Sequence, residues 1–360
     1  MTQQAAVGKL WNPTSPEAQL ALSHGISAIP LPTPFAIGPV NCYLIDDDPL
    51  TLIDSGPASA VALDTLERGL RSLGRRIEDL DLIVVTHQHA DHLGLVRILV
   101  ERSGAQVAAS DKLAPWFERL AEMYTADDAF ADTVMARNGI PEETRIALLT
   151  VSNAYHGWAE PARVTRALAD GDRLELAGRS FEVHHRPGHS PSDTIFHDRD
   201  RGILLAGDHL LAHVSSNPLI ARPLDAGEDP ADARKLTRPQ SLRIYLDSLA
   251  ATREMTDVEL VLAGHGPAIR DHAALIDERL EHHVRRARRI HRMIDERPRT
   301  AFEIAQEIWG RTAITQAYLT LSEVLGHVDL LLNDGLIAEH RDADGVGRFE
   351  SLSVPERRGA

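Results

Sequence analysis

The sequence predicts a mixed α/β (α+β) protein with a helical insertion and a small C-terminal helical segment, on three observations. Short apolar, β-branched runs alternate with helical periodicities up to residue 110 and return between 173 and 263. Residues from 112 to about 167 keep helical spacing with no strand pattern among them. From 271 onward helical patterns take over and close in a hairpin-like stretch. At 360 residues the chain exceeds what one compact core usually holds, so two units are expected: 1–270, containing the insertion, and 271–360.

Taken in order, strands over 41–45 and 50–53 flank the turn Asp46-Asp47-Asp48-Pro49 and make a hairpin. Val61, Leu63, Leu66, Leu70 and Leu73 place an amphipathic helix over 59–73. The run Leu82-Ile83-Val84-Val85 is a strand, followed by a helix over 93–103 and a short strand over 106–109. In the insertion, Leu113, Trp116, Phe117, Leu120, Met123 and Tyr124 share a helical face, and Ile146, Leu149, Val151 and Trp158 continue the spacing more loosely. The insertion reads either as added packing or as a wall over a site. Strands return at 173–176, 181–185, 203–206 and 259–263. A long helix over 272–295, shorter ones over 301–309 and 318–333, and a hairpin over 336–352 turning at Asp344-Gly345 complete the chain.

With 43% hydrophobic and 25% charged residues, the composition is that of a globular protein with an aliphatic core, since aromatics make up only 4%. A net charge of -15 argues against general affinity for nucleic acid or anionic membrane, without excluding a local basic patch. The one cysteine, Cys42, rules out an intramolecular disulfide and reads as a small buried hydrophobe among Val40, Tyr43, Leu44 and Ile45. The stretch from Met1 to Gly8 lacks a basic and an apolar region, and nothing approaches membrane-spanning length, so a cytoplasmic location is expected.

The segment Thr86-His87-Gln88-His89-Ala90-Asp91-His92 places three imidazoles and a carboxylate directly after a buried strand. A lone histidine is usually a solvated loop residue; four donors this close after a strand point to a metal. The pattern recurs. Leu52-Ile53-Asp54-Ser55-Gly56-Pro57, Pro187-Gly188-His189-Ser190, Ala206-Gly207-Asp208-His209 and Ala263-Gly264-His265-Gly266-Pro267 each put a ligand-type residue after an apolar run or beside glycine. The candidates are therefore Asp54, His87, His89, Asp91, His92, His189, Asp208 and His265. Five histidines with these carboxylates exceed the needs of one tetrahedral ion, so two divalent ions are implied, zinc foremost, with manganese or iron as alternatives.

The order and content of these stations, over about 35 to 268, resemble the metallo-β-lactamase-fold hydrolases, which include glyoxalase II, lactonases, ribonucleases and the lactamases themselves. The resemblance implies an αββα sandwich with the metals at one edge. It also implies that His87, His89 and His189 hold one ion, that Asp91, His92 and His265 hold the other, that Asp208 bridges, and that Asp54 orients a ligand histidine from behind. Single-iron persulfide dioxygenases lack part of the second site, and antibiotic-resistance lactamases usually carry cysteine or histidine where Asp208 stands, so both readings recede. The resemblance then implies a binuclear hydrolase in which a metal-bridging hydroxide attacks an electrophilic centre while Asp91 or Asp208 passes a proton to the leaving group. Ser190, Ser192 and Tyr43 are then unnecessary as nucleophile or oxyanion donor. His184, His185, His209 and His213 read as supporting or surface residues, and the adjacent pair His184 and His185 must point to opposite faces of its strand. The polar loop from His213 to Pro218, and Arg222, read equally as substrate contacts or surface turn.

The C-terminal segment is similar to a winged helix: short helices, then a hairpin wing. Tyr318 to Asn333, in the place of a recognition helix, contains Glu323 and Asp329 but no Lys or Arg. The cluster Arg285, Arg286, Arg288, Arg289 and Arg292 reads as the solvated face of an amphipathic helix rather than a nucleic-acid contact. Three functions are expected, in this order. The first is a hydrolase of a small ester, thioester or lactone; the second a metal-dependent single-strand ribonuclease or phosphodiesterase; the third a winged-helix binding module with a structural metal site. The expected partner is a small-molecule substrate, and a homodimer is left open.

Overall fold

The structure, a computed structural model, describes residues 10–352. The stretch from Met1 to Gly8, on which the compartment expectation rests, and the outer ends of both expected units lie outside the described residues. No helix among the described residues is long and apolar enough to cross a membrane.

Strands β1 (Ile26–Leu31), β2 (Val40–Ile45), β3 (Thr51–Ile53), β4 (Leu82–Val84), β5 (Gln106–Ser110) and β6 (Arg166–Leu168) form one sheet in that spatial order. The first three pair antiparallel and the rest parallel. Strands β7 (Arg173–Glu175), β8 (Ser180–His185), β9 (Thr194–Asp198), β10 (Ile203–Gly207) and β11 (Leu260–Ala263) form a second, in the order β11-β10-β9-β8-β7, with only β10 and β11 parallel.

The sheets pack face to face. Tyr43, Ile53, Leu82 and Val84 of the first meet Phe181, Val183, Phe196, Leu205 and Leu262 of the second in one buried cluster. Outside the first sheet, Leu66 and Leu70 of the helix Ala60–Ser72 and Leu99 of the helix Val96–Ser103 cover Leu44, Leu52 and Ile83. Outside the second, Leu242, Tyr245 and Leu249 of the helix Ser241–Arg253 cover Ile195, Leu204 and Val261. This is the expected αββα sandwich. Strands buried on both faces read as unbroken apolar runs, which is why β2, buried at every position, is legible from sequence.

Several elements escape sequence reading, among them the helix Pro16–Ser23 and β6, which begins inside the stretch to 167 read as wholly helical, and three more. Strand β1 carries Pro30, which weakens a strand signal and suits the edge position it occupies. Strand β9 ends in His197 and Asp198, polar residues that are nonetheless buried, Asp198 lying 3.2 Å from Arg201. The helix Ser241–Arg253 has a short apolar stripe whose meaning comes from the sheet beneath it.

The insertion folds as the helices Ala114–Glu118, Leu120–Arg137 and Glu142–His156. The C-terminal segment folds as His272–Glu296, Ala301–Trp309, Thr312–Thr315 and Ala317–Asn333, then a hairpin of β12 (Ile337–Arg341) and β13 (Gly347–Ser351). Thr300 and Glu303 form a reciprocal cap at the start of Ala301–Trp309. Insertion and C-terminal segment share one hydrophobic cluster, in which Ala126, Phe130 and Val134 pack with Ile290, Ile304, Leu321 and Leu325. Arg286 of the basic run lies over the Trp309 ring at 5.2 Å and faces Glu323 at 3.5 Å, so that arginine is spent inside the fold.

Arg222 is not a surface turn residue. It is buried, donates to Asp127 of the insertion at 2.7 Å and to the carbonyls of Ala226 and Gly227 at 2.8 Å. Removing it empties a fully buried position, leaves the half-buried Asp127 carboxylate with only Trp116 Nε1 at 3.2 Å, and takes the donor from two carbonyls. Arg222→Ala is expected to destabilise the protein by about 3 kcal/mol in denaturant unfolding.

His283 and His327 are buried between the helices His272–Glu296 and Ala317–Asn333, with ring nitrogens 3.2 Å apart. Burial, with Arg286 and His282 nearby and Glu323 opposing, pushes both from 6.5 to about 4. Between those values the unfolded chain takes up protons that the folded chain refuses. Stability is therefore intact above the ordinary histidine value and falls as pH drops toward 4, by about 3 kcal/mol per histidine at the limit. Equilibrium unfolding measured from neutral to acid pH is expected to show that fall, and a His327→Asn variant a shallower one.

Candidate metal centre

Every proposed ligand station comes after the C-terminal end of a strand: Asp54 after β3, the histidine cluster after β4, His189 after β8, Asp208 after β10 and Gly264-His265 after β11. Strands β3 and β4 are parallel neighbours, as are β10 and β11, and β8 runs the same way as β10 because each is antiparallel to β9. Their C-terminal ends therefore open on one edge of the sandwich. The structure brings all eight candidates together there.

Ligand-type atoms converge in three overlapping sets, His87 with His89 and His189, His87 with His92 and Asp208, and Asp91 with His92 and His265, each within 4.8 Å. His89 Nδ1 lies 3.0 Å from Nε2 of both His87 and His189. His265 Nε2 lies 3.3 Å from Asp91 Oδ2. Asp208 reaches both ends of the cluster, 3.5 Å from His92 Nε2 through Oδ1 and 3.6 Å from Nε2 of both His189 and His265 through Oδ2.

The hydrogen bonds behind the rings fix which nitrogen faces inward. Asp54 Oδ2 accepts from His92 Nδ1 at 2.7 Å, Asn217 O from His189 Nδ1 at 3.0 Å, and Pro39 O from His265 Nδ1 at 2.9 Å. Thr86 Oγ1 donates its proton to Asp54 Oδ2, so it can only accept from His87 Nδ1 at 3.0 Å. Four imidazoles thus carry their proton on Nδ1 and turn a lone pair on Nε2 toward the centre. Among the described residues that side goes unsatisfied: His92 Nε2, His265 Nε2 and Asp208 Oδ1 are buried without a hydrogen-bond partner. Lone pairs facing lone pairs and ionised carboxylates are what a cation requires, and this donor set fits divalent metal.

The charges agree. Burial and the neighbouring imidazoles hold His87 well below its ordinary value, and burial with His189 takes His89 down to about 3, leaving both neutral. Burial alone would raise the two carboxyls, but His92 and His265 outweigh it, so Asp91 lies below and Asp208 well below the usual range. Burial likewise opposes charge on His92 and His265, yet Asp208 with Asp54 and Asp91 raises the first, and Asp208 with Asp91 the second.

Asp54 is itself held in a left-handed backbone conformation, φ 57°, that places both carboxylate oxygens under the cluster, where they also accept from the Thr86 amide at 2.9 Å. Gly264 is required by space. A Cβ there would lie 2.8 Å from His92 Cε1 and closer still to Asp208 Oδ1.

The side chains set aside from sequence have other occupations. Tyr43 donates to Ala263 O at 2.7 Å, Ser192 Oγ accepts from the Gln88 amide at 3.0 Å and lies 2.9 Å from Ser190 Oγ, and His209 pairs with Thr252 Oγ1 at 2.8 Å. His185 bonds Pro191 O at 2.9 Å, and His213 is exposed. In the 213–218 loop, Ser216 donates to the Asp208 carbonyl. Sequence reasoning missed Thr86, Asn217, Pro39 and Asn41, whose side-chain amide holds the carbonyls of Ala263 and Gly266 at 3.0 and 2.8 Å. Only Thr86, inside the motif, carried a signal; Asn217 and Pro39 act through main-chain carbonyls.

Comparison with known proteins agrees with the geometry. The profile of the Metallo-beta-lactamase superfamily matches residues 36–265. The probable metallo-hydrolase YqjP of Bacillus subtilis is 31% identical over 325 residues, 90% of this chain and 97% of its own length. The hydroxyacylglutathione hydrolase GloC of Haemophilus influenzae is 29% identical over 177 residues, 47% of this chain and 66% of that protein. Among solved structures, a metallo-beta-lactamase family protein from Thermus thermophilus aligns with a TM-score of 0.76 at 27% identity, over 91% of this chain and 99% of that one.

Asp54→Asn keeps the shape but replaces one carboxylate oxygen by an amide that cannot accept from His92. Metal affinity, measured by competition with a chromophoric chelator, is expected to fall about 10–100-fold with little change in unfolding midpoint.

Proposed function

The chain belongs to the metallo-beta-lactamase superfamily as one of its metallo-hydrolases, and on that premise we propose that it hydrolyses a small thioester, ester or lactone with two divalent ions, zinc foremost. The observation that carries this reading is Asp208, which lies 3.6 Å from Nε2 of both His189 and His265 and so stands between two ligand groups. His87, His89 and His189 would hold one ion, Asp91, His92 and His265 the other, with Asp208 placed to serve both.

When bound, such a pair of ions supplies water deprotonated near neutral pH and positive charge for the substrate's carbonyl oxygen. The chain's own residues do the rest. Asp54, Thr86, Asn217 and Pro39 hold the ring planes, so no reorganisation is needed when charge develops. Asp91, ionised and buried, takes up a proton on its carboxylate and hands it to the leaving sulfur or oxygen. An acyl substrate is supported by the similarity to a hydroxyacylglutathione hydrolase, since a hydroxyacyl group carried on the thiol of glutathione is a thioester. The net charge of -15 also favours a small substrate over a polyanion.

The test is a panel of S-acyl glutathiones, short acyl esters, lactones and single-stranded RNA, assayed with zinc-, manganese- and iron-loaded protein. Thioester turnover is expected, and activity confined to RNA would overturn the reading. His89→Ala and Asp208→Ala are each expected to lose metal and to lower turnover about 10³-fold.

A further inference from the structure

A second group of imidazoles lies away from the ligand stations, on the outer face of the second sheet. Phe181, Val183 and Phe196 of β8 and β9 turn inward to the core between the sheets, so Glu182, His184 and His197 turn outward. Glu182 is the direct cross-strand partner of His197, and His184 lies two residues along on the same face. Ligand-type atoms of the three lie within 4.8 Å of one another, with Glu182 Oε2 3.7 Å from His184 Nε2.

The surroundings leave these donors available. Arg173 and Arg199 approach the other carboxylate oxygen of Glu182, Oε1, at 3.4 and 3.6 Å, which holds the carboxylate in place with Oε2 toward His184. His197 Nε2 donates to Asp257 O at 3.2 Å, which leaves the lone pair on the ring's other nitrogen. His184 Nε2 is buried and has no hydrogen-bond partner among the described residues. The group lines an open cavity of 220 Å³, whose far wall at the end of the helix Ser241–Arg253 adds Glu254 and Thr256. The other histidine cluster, His283 with His327, differs in this respect: their nitrogens bond each other, Ser215 Oγ and the Glu323 carbonyl, so no donor is left over.

We infer that Glu182, His184 and His197 form a further cation site, separate from the catalytic centre, that takes a borderline divalent ion such as zinc. Two imidazoles and a carboxylate suit such ions better than calcium or magnesium, which prefer all-oxygen ligands. The cavity is open to solvent, so the ion enters without the sandwich opening and exchanges more readily than ions at the enclosed edge.

The test is a Zn(II) titration of chelator-stripped full-length protein against a chromophoric competitor, with bound metal counted at equilibrium by dialysis against free Zn(II). His184→Ala and Glu182→Gln, the second nearly isosteric, are compared with wild type after circular dichroism confirms folding. Each is expected to bind one equivalent of Zn(II) fewer while hydrolytic turnover stays unchanged. The same equivalent is expected to persist in Asp208→Ala protein, whose catalytic ions are weakened. Equal stoichiometry in wild type and in both variants, or loss of that equivalent with Asp208→Ala alone, would overturn the assignment. Neither result depends on which substrate is cleaved.

Discussion

The parallel pairing of β3 with β4 and of β10 with β11 is the constraint on which the rest depends. Parallel neighbours end on the same side, so side chains just beyond them meet without any strand having to bend. The strands themselves are short and buried on both faces, and the largely apolar sequences of β3, β4 and β11 leave polar donors nowhere to stand except the loops past their ends. Chemistry is thereby confined to one edge, and packing holds everything else.

Confinement creates an electrostatic problem that the surrounding hydrogen bonds organise. Five imidazoles and three carboxylates crowd one small volume, and several inward atoms have no partner among the described residues. Each imidazole except His89 is tied from behind by a carboxylate, hydroxyl or carbonyl, so its lone pair cannot turn away. Asp54 does half of this, anchoring Thr86 twice and His92 once at the cost of a left-handed backbone that aspartate tolerates better than most residues. The arrangement is preorganised for cation and unfavourable without one, as expected of a centre whose folding and metal binding are coupled.

The C-terminal segment takes part in this organisation. Asn217, whose carbonyl orients His189, donates its side-chain amide to Leu319 O of the helix Ala317–Asn333 at 2.9 Å. Two residues earlier in the same loop, Ser215 contacts His283 at 3.2 Å. The loop after Asp208 is thus clamped between the histidine cluster and the C-terminal helices, and the insertion shares a core with those helices. A disturbance in those helices has a short, hydrogen-bonded route to His189.

Composition and spacing by themselves determined the layered α/β class, the helical insertion, the terminal hairpin and the identity of all eight residues at the centre. Apolar runs ending in His or Asp beside glycine are local signals, and local signals survive in one dimension. Three things only the tertiary structure decided. Edge strand β1 and polar-ended β9 emerged from their partners, because a strand's burial depends on what lies across from it. The role of Arg222 changed from loop residue to buried clamp once the insertion folded over it. The supports of His189 and His265 are main-chain carbonyls of Asn217 and Pro39, and a carbonyl is the same in every residue, so no residue type could announce them.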